Sequence, residues 1–412
     1  MDSGHVAWML TASALVLLMT PGLAFFYGGL VRARNVVSTI MYSFIAMAVV
    51  SVVWVLWGYS FALEGGNAFI GDFSKFGLSG IDINSGLGDP DNPAAGDLIF
   101  VVFQMMFAII TPALITGAFV ERFKFTTYMI FLVLWVTLVY APIAHWVWDS
   151  DGWLFKMGAL DFAGGTVVHI NAGVAAVAAA LLVGKRRNPG PEPHNVPYVV
   201  LGAALLWFGW FGFNAGSGLL ANGQAVNAFL VTNTAAATAA LTWGIISQIQ
   251  TGRMSAVGVA SGAVAGLVAI TPASGSVGVL GALGIGLGAG AICYLAVLLR
   301  HKTGLDDALE VFAIHGVGGI WGAIATGIFA VAVIGGTAGE PLGVIEGNIG
   351  QLGTQIVAVV ATIIYSFIAT FIILKVLDLI PGLGLRVSET DESQGLDLAS
   401  HGERAFVDDG AD

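Results

Sequence analysis

An all-α polytopic membrane protein is predicted from three observations: an apolar composition, repeated long apolar runs, and basic residues that crowd into alternate connections. The chain has 412 residues, 57% hydrophobic and 10% charged, where an average soluble domain carries roughly 25% charged residues. Many apolar runs exceed the roughly 18 residues that mark a candidate membrane span. Eleven transmembrane helices are expected, near residues 6–30, 38–61, 97–120, 126–147, 163–183, 196–217, 225–248, 255–272, 276–299, 311–335 and 350–379.

The first run begins at residue 6 with no basic segment before it and continues through Pro21 to Gly28 and Gly29. It therefore reads as a retained span and not as a cleavable signal peptide. Charge then sets the orientation. Arg32, Arg34, Arg122, Lys124, Lys185, Arg186, Arg187, Arg253, Arg300 and Lys302 follow odd-numbered spans, whereas the connections after even-numbered spans hold only Lys75 and Lys156 among many acids. By the positive-inside rule the N-terminus is outside and the C-terminus cytoplasmic, in an inner or plasma membrane.

Spans one to five (6–183) and six to ten (196–335) pair as two five-helix halves. An odd number of spans per half forces opposite orientations, so two inverted repeats are expected, with a substrate path between them. The eleventh span, 350–379, stands outside as a peripheral brace and completes a transmembrane transport domain over 1–380. It leads into a hydrophilic cytoplasmic tail, 381–412, with eight acids and the arginines Arg386 and Arg404. Such a tail is either a solvated end or, on the sharper reading, a regulatory or docking segment.

His169 and His315 lie in apolar stretches of opposite halves, and each follows an aspartate by eight residues, Asp161 and Asp307. Small residues come after each histidine in DFAGGTVVHINAG and DALEVFAIHGVGG, which lets neighbouring helices approach closely. One buried histidine could be a packing residue with both nitrogens satisfied. Two at matched positions point to a permeation path, because an ionisable group in hydrocarbon is costly. Both aspartates begin or precede helices and could cap them, the favoured reading for Asp307. His301, between Arg300 and Lys302, reads as an exposed helix-end residue.

Other chemistries find little footing. Cys293 is the sole cysteine and excludes an intrachain disulfide. No CxxC, HExxH or tight carboxylate cluster suggests a metal, no cofactor is implied, and no basic and aromatic stripe suits nucleic acid. Gly281, Gly284, Gly286 and Gly288 sit in an apolar run, where helix crossing explains them better than phosphate binding.

Seven segments in order carry a family resemblance: FYGGLVRARN at 26–35, PALITGAFVER at 112–122, APIAHWVW at 141–148, DFAGGTVVHINAG at 161–173, GKRR at 184–187, WFGWFGFNAGS at 207–217 and FAIHGVGG at 312–319. Over almost its whole length the chain resembles the ammonium transporters of the Amt/MEP/Rh superfamily, in particular the bacterial or archaeal Amt branch. The resemblance implies a homotrimer with one pore per subunit, and for many members control by a trimeric PII-type regulatory protein at the cytoplasmic exit. It matches His169 and His315 to paired pore histidines. Phe103, Phe107, Trp148 and Ser217 match an external ammonium-recruitment site, and Phe107 with Phe213 a phenylalanine gate. Asp161 matches an acid of structural and electrostatic role. Without the resemblance, each aromatic among 25 phenylalanines and 11 tryptophans would read as packing, and Ser217 as a partner for a free carbonyl.

Elementary energetics agrees with those roles. A small cation can exchange hydration for a hydroxyl and aromatic faces, a contact worth roughly 0.5–2 kcal/mol, whereas an unpaired charge crossing an apolar lumen costs far more. Splitting ammonium into ammonia and a proton removes that cost, and an imidazole pair offers the proton a relay. The expected function is therefore not enzymatic. It is electrogenic uptake of ammonium and methylammonium, with potassium largely excluded. The alternatives are an electroneutral ammonia or carbon dioxide channel of the Rh type, against which Trp148 and Ser217 speak by resemblance, and an ammonium sensor acting through a separate partner. Besides membrane lipid, the expected partners are further copies of the chain and a PII-type protein docking at the loop from Lys185 to Val196 and at the tail.

Overall fold

The computed structural model describes residues 3–81, 98–189, 193–337 and 339–406. Residues 190–192 of the expected docking loop and the last six of the tail lie outside the described residues. Among those described, regular structure is helical apart from an isolated antiparallel bridge between Phe123 and Arg386. Eleven apolar helices follow one another: α1 Ser3–Leu30, α2 Ala33–Leu63, α3 Leu98–Ala118, α4 Phe125–Lys156, α5 Gly165–Val183, α6 Val196–Gly216, α7 Gly223–Thr251, α8 Ala256–Ile270, α9 Val279–Thr303, α10 Phe312–Phe329 and α11 Ile349–Leu379. Ten are long and apolar enough to cross a membrane, and α8 is a shorter apolar helix of 15 residues. The chain is a multi-pass, all-α membrane protein.

Two boundaries depart from the sequence expectation. The tenth span was placed at 311–335, but α10 stops at Phe329: Ala330 is extended and the Val331 N–H bonds the Ser276 carbonyl at 2.8 Å. That long-range bond takes the donor that would have continued the helix, and Ala332–Gly335 forms a separate turn. Beyond the expected end of the fourth span, the chain turns at Asp149 to Gly152, closed by a 2.9 Å backbone bond, before a last short helical turn.

Lipid removes most of the hydrophobic drive between helices, so close packing has to hold the bundle. Small residues provide it. At the crossing of α1 and α6, a Cβ on Gly22 would stand 3.0 Å from Leu205 Cβ, and one on Gly212 would stand 2.6 Å from Leu15 Cβ. Where α9 meets α7, a Cβ on Gly286 would lie 2.6 Å from the Ala235 carbonyl oxygen, as the crossing reading of that glycine requires. The opening helices of the two halves thus pack on each other, and their closing helices, α5 and α10, do the same through Gly173, Gly316 and Gly319. This is the arrangement of two inverted repeats. The α11 helix braces them from outside, where Trp135 Nε1 donates to Thr370 Oγ1 at 2.9 Å and Ser366 Oγ donates to the Asn171 carbonyl at 2.8 Å.

The tail lies across the helix ends on the side of the basic connections. Val387 N–H bonds the Arg122 carbonyl at 3.1 Å, Arg386 pairs with Glu392 at 2.8 Å, and Asp397 Oδ1 accepts from Ser38 N at 2.8 Å, capping the start of α2. Glu392 and Asp397 are buried. Solvation of a free end does not describe them.

Candidate functional site

Both histidines sit where the helix leaves its regular winding. Gly165–Ile170 and Phe312–Gly316 are π-helical turns at the starts of α5 and α10, a winding frequent at functional positions. The first N–H groups of any helix lack intrahelical partners, and here an aspartate supplies them. Asp161 accepts from the backbone of Gly164 (2.9 Å), Gly165 (2.5 Å), Thr166 (2.8 Å) and Val167 (3.2 Å), and also from the Thr166 hydroxyl. Gly164 makes that wrap possible at φ +111°, in the left-handed region. Asp307 accepts from Val311 N at 3.1 Å and Phe312 N at 2.7 Å. Both aspartates are therefore caps, and the Asp161 carboxylate is filled by protein donors.

The two turns bring the imidazoles together. His169 Nδ1 and His315 Nδ1 are 3.3 Å apart, with ring centroids at 5.4 Å and planes 23° apart, and both side chains are buried. A small cavity of about 10 Å³ opens beside them, walled by Leu23, Ile110, Leu114, Val168, Leu206, Val264 and their neighbours. That space matches about one water-sized probe sphere. His169 Nε2 is buried and has no hydrogen-bond partner among the described residues. The Trp210 ring stacks on His169 at 5.3 Å, while its own N–H is taken by Thr271 Oγ1 at 2.8 Å, so the tryptophan shows the histidine a face and no free donor.

Above the histidines runs a column of rings. Phe213 lies 5.9 Å from His169, Phe107 lies 4.3 Å from Phe213, and Phe107 also meets Phe103 at 4.9 Å and Trp148 at 5.8 Å. Trp148 is partly exposed, and its Nε1 donates to the Asp161 carbonyl at 2.8 Å, so one residue caps α5 and orients the indole. A cavity of about 150 Å³ reaches Trp148 and Asp161 beside Phe162 and Ser276. Ser217 donates its hydroxyl to the Phe213 carbonyl at 2.8 Å, which leaves its oxygen lone pairs free to accept.

The structure thus unites Phe103, Phe107, Phe213, Trp148, His169 and His315 in one chain of ring contacts, which Ser217 joins only through a backbone carbonyl. Phe103 is buried and packs against Phe107. His301 is exposed at its helix end, beside Glu310 and Arg300. Sequence reasoning missed Trp210. The available signal was its three-residue spacing from Phe213, which places both on one helix face.

The family model described as Ammonium Transporter Family matches residues 7–406. The chain is similar to an ammonium transporter of Bacillus subtilis, 47% identical over 410 residues that cover 99% of this chain and 100% of the relative. Among solved structures it is similar to Saccharomyces cerevisiae Mep2, with TM-score 0.87 and 41% identity over 95% of this chain and 89% of the other. It is also similar to a structure described as Sensor Amt Protein, with TM-score 0.86 and 31% identity over 97% and 98% of the two chains. Full-length identity at this level, with the same helical architecture, makes the chain a member of the ammonium transporter family.

Proposed function

We propose that the chain imports ammonium electrogenically by separating the ion into ammonia and a proton. The observation that carries this reading is the 3.3 Å contact between His169 Nδ1 and His315 Nδ1 beside a cavity whose remaining walls are hydrocarbon and aromatic. Across such a contact one nitrogen donates and the other accepts. A proton accepted on one side of the pair can therefore leave from the other after both rings exchange tautomers. Ammonia, neutral and small, follows the apolar space without the desolvation cost of an ion.

Recruitment is assigned to the outer end. There the ammonium N–H groups find the Ser217 lone pairs and the faces of Trp148, Phe107 and Phe103, a set of contacts weak enough to release. Phe107 and Phe213 close the way below until the proton has left. Asp161 acts through others, holding both Trp148 and the turn that presents His169. On this reading methylammonium is a second substrate and potassium, which has no proton to give up, is rejected.

The same reading takes the protein as a homotrimer in a plasma or inner membrane, N-terminus outside. It treats 1–380 as the transport domain and 381–412 as a regulatory tail for a PII-type protein. The contacts of Arg187 with Glu389 and Glu392, which tie the loop after α5 to the tail, support joint movement of those two elements. A sensor on the same scaffold is the second reading, favoured by the neighbour described as a sensor.

Reconstituted wild type, His169→Ala and His315→Ala, compared by ammonium-evoked current and lumenal pH at matched protein amounts, separate the possibilities. Transport by relay gives wild-type current that the variants lose while ammonia flux persists. Unchanged current in both variants eliminates the relay. Ammonium binding without current or flux in the wild type favours the sensor.

A further inference from the structure

The two histidines are held by unequal caps. Asp161 has five donors around it, whereas the Asp307 carboxylate, fully buried, receives among the described residues only the N–H groups of Val311 and Phe312. The turn these last two open is the π-helical one that ends in His315 and Gly316. Its approach is strained: Glu310 takes φ +63°, a left-handed value that non-glycine residues adopt rarely. On the far side the loop is fixed, since Leu309 N–H bonds the Gly117 carbonyl at 3.0 Å and Ala308 N–H the Ala118 carbonyl at 3.3 Å. Val311 is pressed against Gly117, where a Cβ would come within 2.6 Å of Val311 Cγ2 and 2.7 Å of Tyr27 Cζ. A strained turn between a pinned loop and a crowded helix depends on its cap.

The charged surroundings of Asp307 are sparse and mixed. On its own loop stand Glu310, paired with Arg300 of α9 (Arg300 Nε to Glu310 Oε2 2.9 Å), and Asp306, which is bound by Arg186. Arg122 faces it from the connection after α3, and the Tyr27 phenol from α1. Burial pushes the Asp307 carboxyl up to about 6, with Glu310 adding to the rise and the Phe312 and Val311 N–H groups and Arg300 opposing it. Once protonated, one carboxyl oxygen becomes a donor. An N–H that loses its acceptor in a buried site is costly.

We propose that Asp307 is a positioning residue for His315, and that its ionised carboxylate holds the inner half of the histidine pair in register, so that acidification of the cytoplasmic face shuts transport down. This rests on the reading that His315 lies on the transport path. It adds a control set by the pH at the cytoplasmic face. Both oxygens accept above about pH 6, and one of the two cap bonds is lost as pH falls through that value.

The test uses the full-length protein in proteoliposomes whose sidedness is fixed by protease access to the tail. Ammonium-evoked current is recorded with the external pH constant while the pH at the cytoplasmic side is stepped from 8 to 5. Wild-type maximal current is expected to fall below about pH 6, approaching about tenfold per further unit as the ionised fraction drops, with half-saturating ammonium unchanged. Asp307→Asn is expected to give a low current that ignores cytoplasmic pH. Glu310→Gln leaves both cap bonds in place but removes a charge that raises the carboxyl and frees Arg300, so its midpoint moves to lower pH. Asp307→Asn with wild-type current and wild-type pH profile overturns the inference, and so does an unmoved midpoint in Glu310→Gln. Should Asp307→Asn fail to fold, the Glu310→Gln midpoint alone decides. His315→Ala, run in parallel, keeps the two readings apart: full current there removes the transport role of the histidine, whereas lost current there beside a normal Asp307→Asn removes only the control.

Discussion

Gly173 on α5 and Gly316 on α10 stand backbone to backbone, so close that a Cβ on Gly173 would collide with Gly316 N and Cα. That contact is what lets two imidazoles on different helices reach a 3.3 Å separation. The histidine pair is therefore a product of glycine packing as much as of the histidines themselves.

Gly173→Val is expected to force the two helices apart. Overpacking of this kind costs about 1–3 kcal/mol, and it should lower the melting temperature in detergent and abolish ammonium current together. A variant that melts like wild type and still carries current would mean that the α5 and α10 contact is dispensable.

Replacing either histidine by alanine should cut charge movement at least about tenfold, equivalent to about 1.4 kcal/mol in the barrier, without stopping ammonia. Aspartate at 169 or 315 should act differently, since a carboxylate in the lumen attracts a bare cation. Potassium current is then expected where the wild type gives almost none, read on solid-supported membranes with paired ammonium and potassium jumps.

Asp161→Ala strips the acceptor from four backbone N–H groups and one hydroxyl. With each buried unpaired donor costing about 1–3 kcal/mol before water enters, a net loss of about 2–4 kcal/mol in stability is expected, seen as poor yield and early melting. Asp161→Asn keeps one acceptor oxygen and should fall between alanine and wild type. If alanine melts normally but loses uptake, the acid acts on the substrate and not on the fold.

The ion-pair network of Asp306, Arg186 and Arg122 should fail in strong acid. Burial would raise the Asp306 carboxyl, but hydrogen bonds and charge from Arg186, helped by Arg122, hold it down to about 2. A depressed acid stabilises the folded state above its unfolded value and loses that contribution as pH falls through the folded one. The loss is therefore expected between about pH 4 and pH 2. Asp306→Asn should mimic it at neutral pH, at about 1–2 kcal/mol once solvent screening is allowed for, measured by thermal melting. A variant whose melting matches wild type across that range would remove the ion pair from the stability account.

Sequence alone determined the membrane class, the eleven helices and the place of the paired histidines in opposite halves. Hydropathy integrates over about 20 residues, so it survives local errors, and His169 and His315 were conspicuous because polar groups are rare in apolar runs. The capping reading of Asp307 was equally legible, because a helix start needs acceptors wherever it lies. The end of α10 was not legible. It is set by the Val331 bond to Ser276, fifty-five positions away, against a local pattern that stays apolar to Gly335.

Tertiary structure decided everything that depends on two helices meeting. The stacking of Trp210 on His169, the meeting of Phe107 with Phe213 and the contact of the two imidazoles all come from non-local contacts. So does the tail: its string of acids allows a solvated end as well as a docking segment, yet Glu392 and Asp397 are buried, because Arg386, Arg187 and the open start of α2 offer them donors. Composition fixes which solvent each segment prefers. Which donors and rings a side chain then finds is set by the approach of distant backbone, and in this chain that approach is governed by glycines whose partners no local pattern names.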